Sequence, residues 1–189
     1  MGTDKQNPVE RDGVWFETFS GVKFYPLDPR PEDILIEDIA HALSNQCRFA
    51  GQSRVHYSVA EHSLRVSHYV PQGCCPLQAL LHDASEAYLV DLPSPIKYGT
   101  ILGGEYRIIE EVLMGTIYRK FGVPEKECPH VHVADKIMAV TEKRDLMNSD
   151  VLWGDWVKEF PPMRTKIIPR PCDGRVEKMF LKRFKELTK

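Results

Sequence analysis

The stretch LLHDASEAYL, residues 80–89, places three ionisable side chains on a segment that otherwise has the composition of a buried helix. His82, Asp83 and Glu86 lie among leucine, alanine and tyrosine residues, and a buried charge is costly unless it is paired or bound to an ion. On a helix, His82 and Glu86 share one face and Asp83 lies next to them. The pattern therefore fits either an ion-pair network or part of a metal site.

Two more residues favour the metal site. His62 falls in a predicted helix that begins at Ser58, where SVAE has the form of a capping box. Asp135 falls in another predicted helix, next to its apolar stripe. Together with His82 and Asp83 they make two imidazoles and two carboxylates, a set that suits one divalent ion such as Mn²⁺, Co²⁺, Ni²⁺, Fe²⁺ or Zn²⁺.

The remaining pattern predicts an all-α fold with a small N-terminal β-hairpin. Aromatic and β-branched runs around Ser20-Gly21 predict the hairpin over residues 14–26. Apolar residues at helical spacing predict the helices, which cover 36–44, 58–70, 76–92, 105–121, 131–147 and 175–189. Pro93 and Pro95 predict a stiff loop after the third of these. We expect one domain over 1–189, with a metal-site core at 36–147 and a C-terminal loop and helix at 148–189.

The order H…HD…D, carried by His62, His82-Asp83 and Asp135, resembles the HD superfamily of metal-dependent phosphohydrolases. The stretches SVAEHS and HDASEAYLVDLPSPIK are similar to the bacterial 5'-deoxynucleotidase branch and to the viral deoxynucleoside triphosphohydrolases near it. The resemblance covers roughly residues 36–147. It implies an HD-domain helical bundle in which these four side chains bind the metal.

The resemblance also implies roles for five other residues. Glu86 and Asp91 match catalytic carboxylates, although Asp91 could instead cap the helix. Arg48 and Lys97 match phosphate-binding groups, with surface ion pairing as the alternative. Phe49 stands where related deoxynucleotidases often carry a tryptophan that senses the deoxyribose.

The implied function is release of phosphate from deoxynucleoside 5'-monophosphates. One alternative is a deoxynucleoside triphosphate triphosphohydrolase, and another, of a different class, is a non-catalytic sensor of metal or nucleotide. A di-iron oxygenase is disfavoured because residues 84–129 contain no histidine that could hold a second metal. His130 and His132 fit either a substrate contact or a surface or capping role.

Composition sets the remaining expectations. A net charge of -2 gives no general nucleic-acid-binding surface, and neither a membrane-spanning stretch nor a signal peptide is visible. We therefore expect a cytoplasmic protein with a small-molecule nucleotide as its substrate. The sequence leaves open whether the protein forms a homodimer. The five cysteines include an adjacent pair without zinc-site spacing, so we expect reduced thiols that pack in the fold; they are Cys47, Cys74, Cys75, Cys128 and Cys172.

Overall fold

A computed structural model describes residues 11–71, 73–148, 151 and 153–189. The predicted N-terminal hairpin is present: β1 (Phe16–Glu17) pairs antiparallel with β2 (Lys23–Phe24). Phe24 is buried and stacks on Tyr88 with ring centroids 4.2 Å apart, so the hairpin is held against the helical core. Residues 1–10, which include most of the N-terminal stretch in which no signal peptide is visible, lie outside the described residues.

Helices make up most of the fold, which confirms the all-α prediction with its small hairpin. They are α1 (Ile36–Asn45), α2 (Val59–Tyr69), α3 (Pro76–Leu81), α4 (Glu86–Leu89), α5 (Ser94–Gly99), α6 (Ile101–Phe121), α7 (Pro129–Leu146) and α8 (Arg175–Leu187). Within the described ranges, no helix has both the length and the apolar character needed to cross a membrane.

Helix α2 lies at the centre of the fold. It begins as predicted at Ser58, whose hydroxyl accepts a hydrogen bond from the backbone N–H of Glu61 at 3.1 Å. One side of α2 contributes Ala60 and Leu64 to a large core cluster, and the other contributes Val66 to a second cluster shared with α7. Because both sides are packed, a side chain on α2 has a well-defined position.

The prediction of one continuous helix over 76–92 is wrong. Helix α3 ends at Leu81 and α4 begins only at Glu86. In between, the amides of Ala84 and Glu86 bond to carbonyls three residues back, at 2.9 and 3.0 Å, rather than four. This tighter winding is typical of a 3₁₀ turn, which often marks a functional segment within a helix.

The segment after α4 also differs from its prediction. The stiff loop expected at Pro93 and Pro95 is instead the short helix α5, with Pro95 in its first turn, where a missing N–H costs nothing. Helix α6 begins at Ile101, earlier than expected. It packs so closely on α5 that a Cβ at Gly103 would lie 2.2 Å from the carbonyl oxygen of Ile96.

The segment 148–173 is largely irregular in its described part, as predicted, and residues 149, 150 and 152 lie outside that part. It is nevertheless anchored to the helices. The backbone N–H of Ile167 donates to Asp145 at 2.7 Å, and that of Arg170 donates to the buried Glu61 at 2.8 Å. Helix α8 then packs on α1, α2 and α3.

Candidate metal centre

The four residues predicted as metal ligands converge on one point. Nε2 of His62 lies 3.2 Å from Nε2 of His82, 3.6 Å from Oδ2 of Asp83 and 3.2 Å from Oδ1 of Asp135. Nε2 of His82 lies 3.3 Å from Oδ1 of Asp83 and 3.9 Å from Oδ1 of Asp135. Ligands bonded at 2.0–2.2 Å stand about 2.8–3.6 Å apart. His62, His82 and Asp83 thus form a group that could hold a metal ion.

Two helices and a turn bring these side chains together, rather than the three helices expected. His62 comes from the buried middle of α2, Asp135 from the second turn of α7, and His82 and Asp83 from the tight turn after α3. His62 is fully buried, whereas the side chains of Asp83 and Asp135 remain 18% and 25% exposed. The carboxylate side of the centre is therefore open to water and small molecules.

Hydrogen bonds fix how both imidazoles present their nitrogens. Nδ1 of His62 lies 2.6 Å from Oε1 of Glu142, and Nδ1 of His82 lies 2.9 Å from the carbonyl oxygen of Ala79. Both partners accept, so each Nδ1 carries the hydrogen and each neutral ring has its lone pair on Nε2. Those two lone pairs face each other and two carboxylates. Such a set requires a cation between them, either protons on the rings or a metal ion.

Glu142 was not predicted from the sequence. It lies two turns after Asp135 on α7, which places both carboxylates on the same side of that helix. It is fully buried and contacts His62 with Oε1 and Arg48 with Oε2, the latter at 3.2 Å. Burial opposes its ionisation, but His62 and Arg48 hold the pKa of Glu142 below its ordinary value. The spacing from Asp135 was the signal that could have identified it.

The charges of the centre stabilise one another. Burial alone would lower the pKa of His82, but Asp83 and Asp135 outweigh burial and raise that pKa to about 9. The two imidazoles in turn overcome burial and hold the pKa of Asp135 well below its usual range. In the absence of a metal, Asp135 therefore stays ionised and His82 holds a proton near neutral pH.

Arg48 lies at the edge of the centre. One terminal nitrogen contacts Oδ2 of Asp83 at 3.2 Å, and its Nε contacts Glu142. The backbone N–H of Arg48 donates to the carbonyl oxygen of Tyr57 at 2.9 Å, just before α2. The next two residues, Phe49 and Ala50, have φ values of 57° and 50°, which are unusual for residues other than glycine. Such strain is often found near functional sites.

Glu86 and Asp91 lie within the electrostatic influence of Asp83. Glu86 is buried, and burial raises its pKa well above the ordinary value, with the charges of Asp83 and Asp91 adding to the effect. Asp91 is about half exposed. It follows Val90, a β-branched residue with a φ of 63°, whose carbonyl accepts a hydrogen bond from the Tyr106 hydroxyl. The strained Val90 thus directs the chain that carries Asp91.

Lys97 forms ion pairs with carboxylates that are not among the four predicted metal ligands. Its Nζ lies 2.7 Å from Oε2 of Glu110 and 4.0 Å from Oδ1 of Asp91. Burial opposes its charge, but Glu110 and Asp91 raise the pKa of Lys97 above its ordinary value. Lys97 is therefore charged at neutral pH, and within the described part of the chain its ion pairs are with Glu110 and Asp91 rather than with the four predicted metal ligands.

The chain is similar to known proteins over much of its length. The chain is 38% identical over 174 residues to YfdR, an uncharacterized protein of Escherichia coli strain K12, and the match covers 92% of this chain and 96% of YfdR. The chain belongs to the YfdR family. A second match, an uncharacterized protein of Rhodobacter capsulatus, is 39% identical over 119 residues, covering 59% of this chain and 60% of that protein. No family model matches the chain.

In this YfdR-family protein, Glu142→Gln should weaken metal binding roughly 10–100-fold, the usual cost of removing the partner of a ligating histidine. The substitution removes the negative charge that holds His62 Nδ1–H. The dissociation constant for Mn²⁺ would be measured by calorimetry. Glu61→Gln serves as the matched control, because Glu61 is equally buried but pairs with Arg65 and Arg170. Equal affinities for both variants would contradict the role of Glu142.

Metal binding to the metal-free YfdR-family protein should release protons. With a pKa of about 9, His82 is an imidazolium at pH 7.5, and it must lose that proton to offer a lone pair to an ion. Affinity for Mn²⁺ should therefore rise with pH and level off above about pH 9. A pH indicator in weakly buffered solution would measure the release. No proton release at pH 7.5 on saturation with Mn²⁺ would contradict this protonation state.

Proposed function

We propose that this chain is a metal-dependent phosphohydrolase of the HD superfamily, with one divalent ion held by His62, His82, Asp83 and Asp135. The observation that carries the proposal is the pair of facing Nε2 atoms, 3.2 Å apart and surrounded by carboxylates, because this donor set requires a cation. The order of these residues along the chain supports the same assignment. A helical fold with a small hairpin is compatible with it.

The donor set favours a transition metal over Mg²⁺. Mg²⁺ prefers oxygen ligands, whereas two of the four ligands here are imidazoles, which suit Mn²⁺, Fe²⁺, Co²⁺, Ni²⁺ and Zn²⁺. We expect one ion per centre. The partly exposed carboxylate side leaves room for a substrate beside it.

A divalent ion bound here would supply an acidified water and neutralise charge on a phosphate ester. Glu86 is the first candidate for proton transfer to a leaving oxygen, because burial and the charges of Asp83 and Asp91 raise its pKa well above the ordinary value and so favour its protonated form. Arg48, in contact with Asp83, keeps a positive charge at the edge of the centre, where a phosphate oxygen can bind. Asp91, near Glu86, is the second candidate for proton transfer.

Aromatic side chains next to Arg48 support a nucleotide as the substrate. The Phe49 ring lies 5.3 Å from the Trp153 ring, and the Arg48 guanidinium lies 5.3 Å from the Phe49 centroid. Such rings offer apolar faces for a base or a sugar beside a cation for the phosphate. The Trp153 ring therefore lies beside Phe49, and Phe49 occupies the position at which related deoxynucleotidases often have a tryptophan.

The small set of residues predicted to bind phosphate favours a monophosphate. Arg48 and Lys97 are the predicted phosphate-binding residues, and both already contact carboxylates. Three phosphates would place more negative charge at the centre than these two side chains balance, and Lys136, with its Nζ 3.8 Å from Oδ2 of Asp135, adds one further cation there. We therefore propose release of phosphate from deoxynucleoside 5'-monophosphates, with removal of triphosphate from deoxynucleoside triphosphates as the alternative.

The test is a phosphate-release screen on purified protein from which metal has been stripped and then restored. Mn²⁺, Co²⁺, Ni²⁺, Fe²⁺, Zn²⁺ and Mg²⁺ would each be combined with ribo- and deoxynucleoside mono-, di- and triphosphates. We expect a nucleoside and phosphate from deoxynucleoside monophosphates, little activity with Mg²⁺, and none in excess chelator.

Two outcomes would replace this proposal. Release of inorganic triphosphate from deoxynucleoside triphosphates would assign the chain to the triphosphohydrolase alternative. Binding of nucleotide to the metal-loaded centre without hydrolysis of any substrate would assign it to the sensor class. Chromatography of the products, together with a binding measurement, distinguishes these outcomes.

A further inference from the structure

A second cluster of possible metal ligands lies outside the centre formed by His62, His82, Asp83 and Asp135, which we call the His/Asp centre. Sγ of Cys74 lies 3.2 Å from Sγ of Cys75, 3.4 Å from Sγ of Cys128 and 3.1 Å from Nδ1 of His130. Sγ of Cys128 lies 3.6 Å from the same nitrogen. The three sulfurs form a group near the surface of the molecule that could hold a metal ion, and Nδ1 of His130 lies beside two of them.

These separations fit a tetrahedral ion better than a disulfide. Four ligands at the Zn–S distance of about 2.3 Å and the Zn–N distance of about 2.0–2.1 Å stand roughly 3.5–3.8 Å apart. A disulfide requires sulfurs about 2.05 Å apart, and the cysteines are free thiols. Cys₃His is one of the ligand sets of closed, structural zinc sites.

A buried amide preorganises the cluster. Gln78, on α3, donates from Nε2 to the carbonyl oxygens of Pro124 and Lys126 at 2.8 and 3.0 Å. Its Oε1 accepts from the backbone N–H of Cys128 at 2.7 Å. Gln78 is only 3% exposed, so its three hydrogen bonds hold the loop before α7 firmly against α3. Cys128 is thereby fixed next to Cys75, the residue that precedes α3.

We propose that Cys74, Cys75, Cys128 and His130 bind a structural zinc ion that is separate from the His/Asp centre. The ion joins the turn before α3 to the start of α7. These elements also carry ligands of the other centre, because His82 follows α3 and Asp135 lies on α7. All four coordination positions are filled by the protein, so this zinc stabilises the arrangement and leaves no open position for substrate.

The ion would be detected by its thiolate ligands. Co²⁺ substituted for zinc should give thiolate-to-metal absorption in the near ultraviolet and strong visible bands in the wild type and in Cys172→Ser, whose exposed thiol lies outside the cluster. Cys128→Ser should lose both the bands and one zinc per chain by elemental analysis. The His/Asp centre contains no thiolate, so failure of the proposed activity would leave this result unchanged.

A second variant avoids any dependence on the folding of the cysteine variants. His130 and His132 are both exposed on the first turns of α7, so each can be replaced without disturbing the core. His130→Ala should bind zinc at the cluster at least roughly 10-fold more weakly, whereas His132→Ala should bind it like the wild type. Competition with a chromogenic chelator would measure both.

Three outcomes would overturn the site. The first is the absence of thiolate bands from Co²⁺-loaded wild type prepared under reducing conditions. The second is equal zinc affinity at the cluster in His130→Ala and His132→Ala. The third is a Cys74–Cys128 disulfide, seen as a 2 Da lower mass, which would make the cluster a redox pair.

Discussion

Replacing Asp83 or Asp135 by alanine should remove the bound ion and the phosphohydrolase activity together. Each carboxylate lies within 4 Å of both imidazole Nε2 atoms, so each substitution removes a ligand and a negative charge from the centre. Loss of a residue that hydrogen-bonds to a metal ligand typically lowers metal affinity by roughly 10–100-fold. Loss of a ligand itself should lower the affinity by more than this. Activity should fall to the background measured in excess chelator.

The control for this experiment is Asp145→Asn. Asp145 is also largely buried on α7, but it accepts from the backbone N–H of Ile167 and pairs with Arg144. The Asp145→Asn protein should be less stable than the wild type but should still bind Mn²⁺. Elemental analysis and phosphate release would be measured on the same preparations. Full metal content in Asp83→Ala and Asp135→Ala would exclude these carboxylates as ligands.

Glu86→Ala should behave differently, keeping its metal while turnover falls by roughly 10²–10⁴-fold, the usual scale for a general acid or base. The reason is the environment of Glu86, in which burial and the charge of Asp83 raise the pKa well above that of an ordinary carboxyl. A raised pKa favours the protonated carboxyl, which is a poorer metal ligand than a carboxylate and can act as an acid. Glu86→Gln should be similarly slow, because an amide fills the same space but does not titrate.

Two results would contradict this role. A metal-free Glu86→Ala protein would show that Glu86 is a ligand. A metal-loaded and fully active variant would show that the centre uses another acid or base, and Asp91 would then be the first residue to test. Elemental analysis and steady-state kinetics on the best substrate from the screen distinguish these two cases.

The sequence predicted much of the fold because its signals are local. The capping box at Ser58 identified the start of α2, and apolar residues at helical spacing identified the segments that form α6 and α8. The proximity of His62, His82, Asp83 and Asp135 was predictable for a related reason. Polar residues beside apolar stripes are forced toward the interior, where they need partners.

Features that depend on distant contacts could not be predicted. The break after α3 coincides with a bond from Nδ1 of His82 to the Ala79 carbonyl, which an apolar pattern does not reveal. Glu142 lies 80 positions after His62, the imidazole it orients. Cys74 lies 54 and 56 positions before Cys128 and His130, so no local spacing shows that these two parts of the cluster meet.

The most direct test of the proposed function is a titration of Mn²⁺ into metal-stripped protein while phosphate release from a deoxynucleoside 5'-monophosphate is followed. Mn²⁺ suits imidazole and carboxylate ligands and is a poor match for the thiolate cluster. The proposal predicts that the rate rises with added Mn²⁺ and levels off at one ion per chain, and that it stays at background in Asp83→Ala. Full activity before any metal is added, or no phosphate release at any Mn²⁺ occupancy, would contradict it.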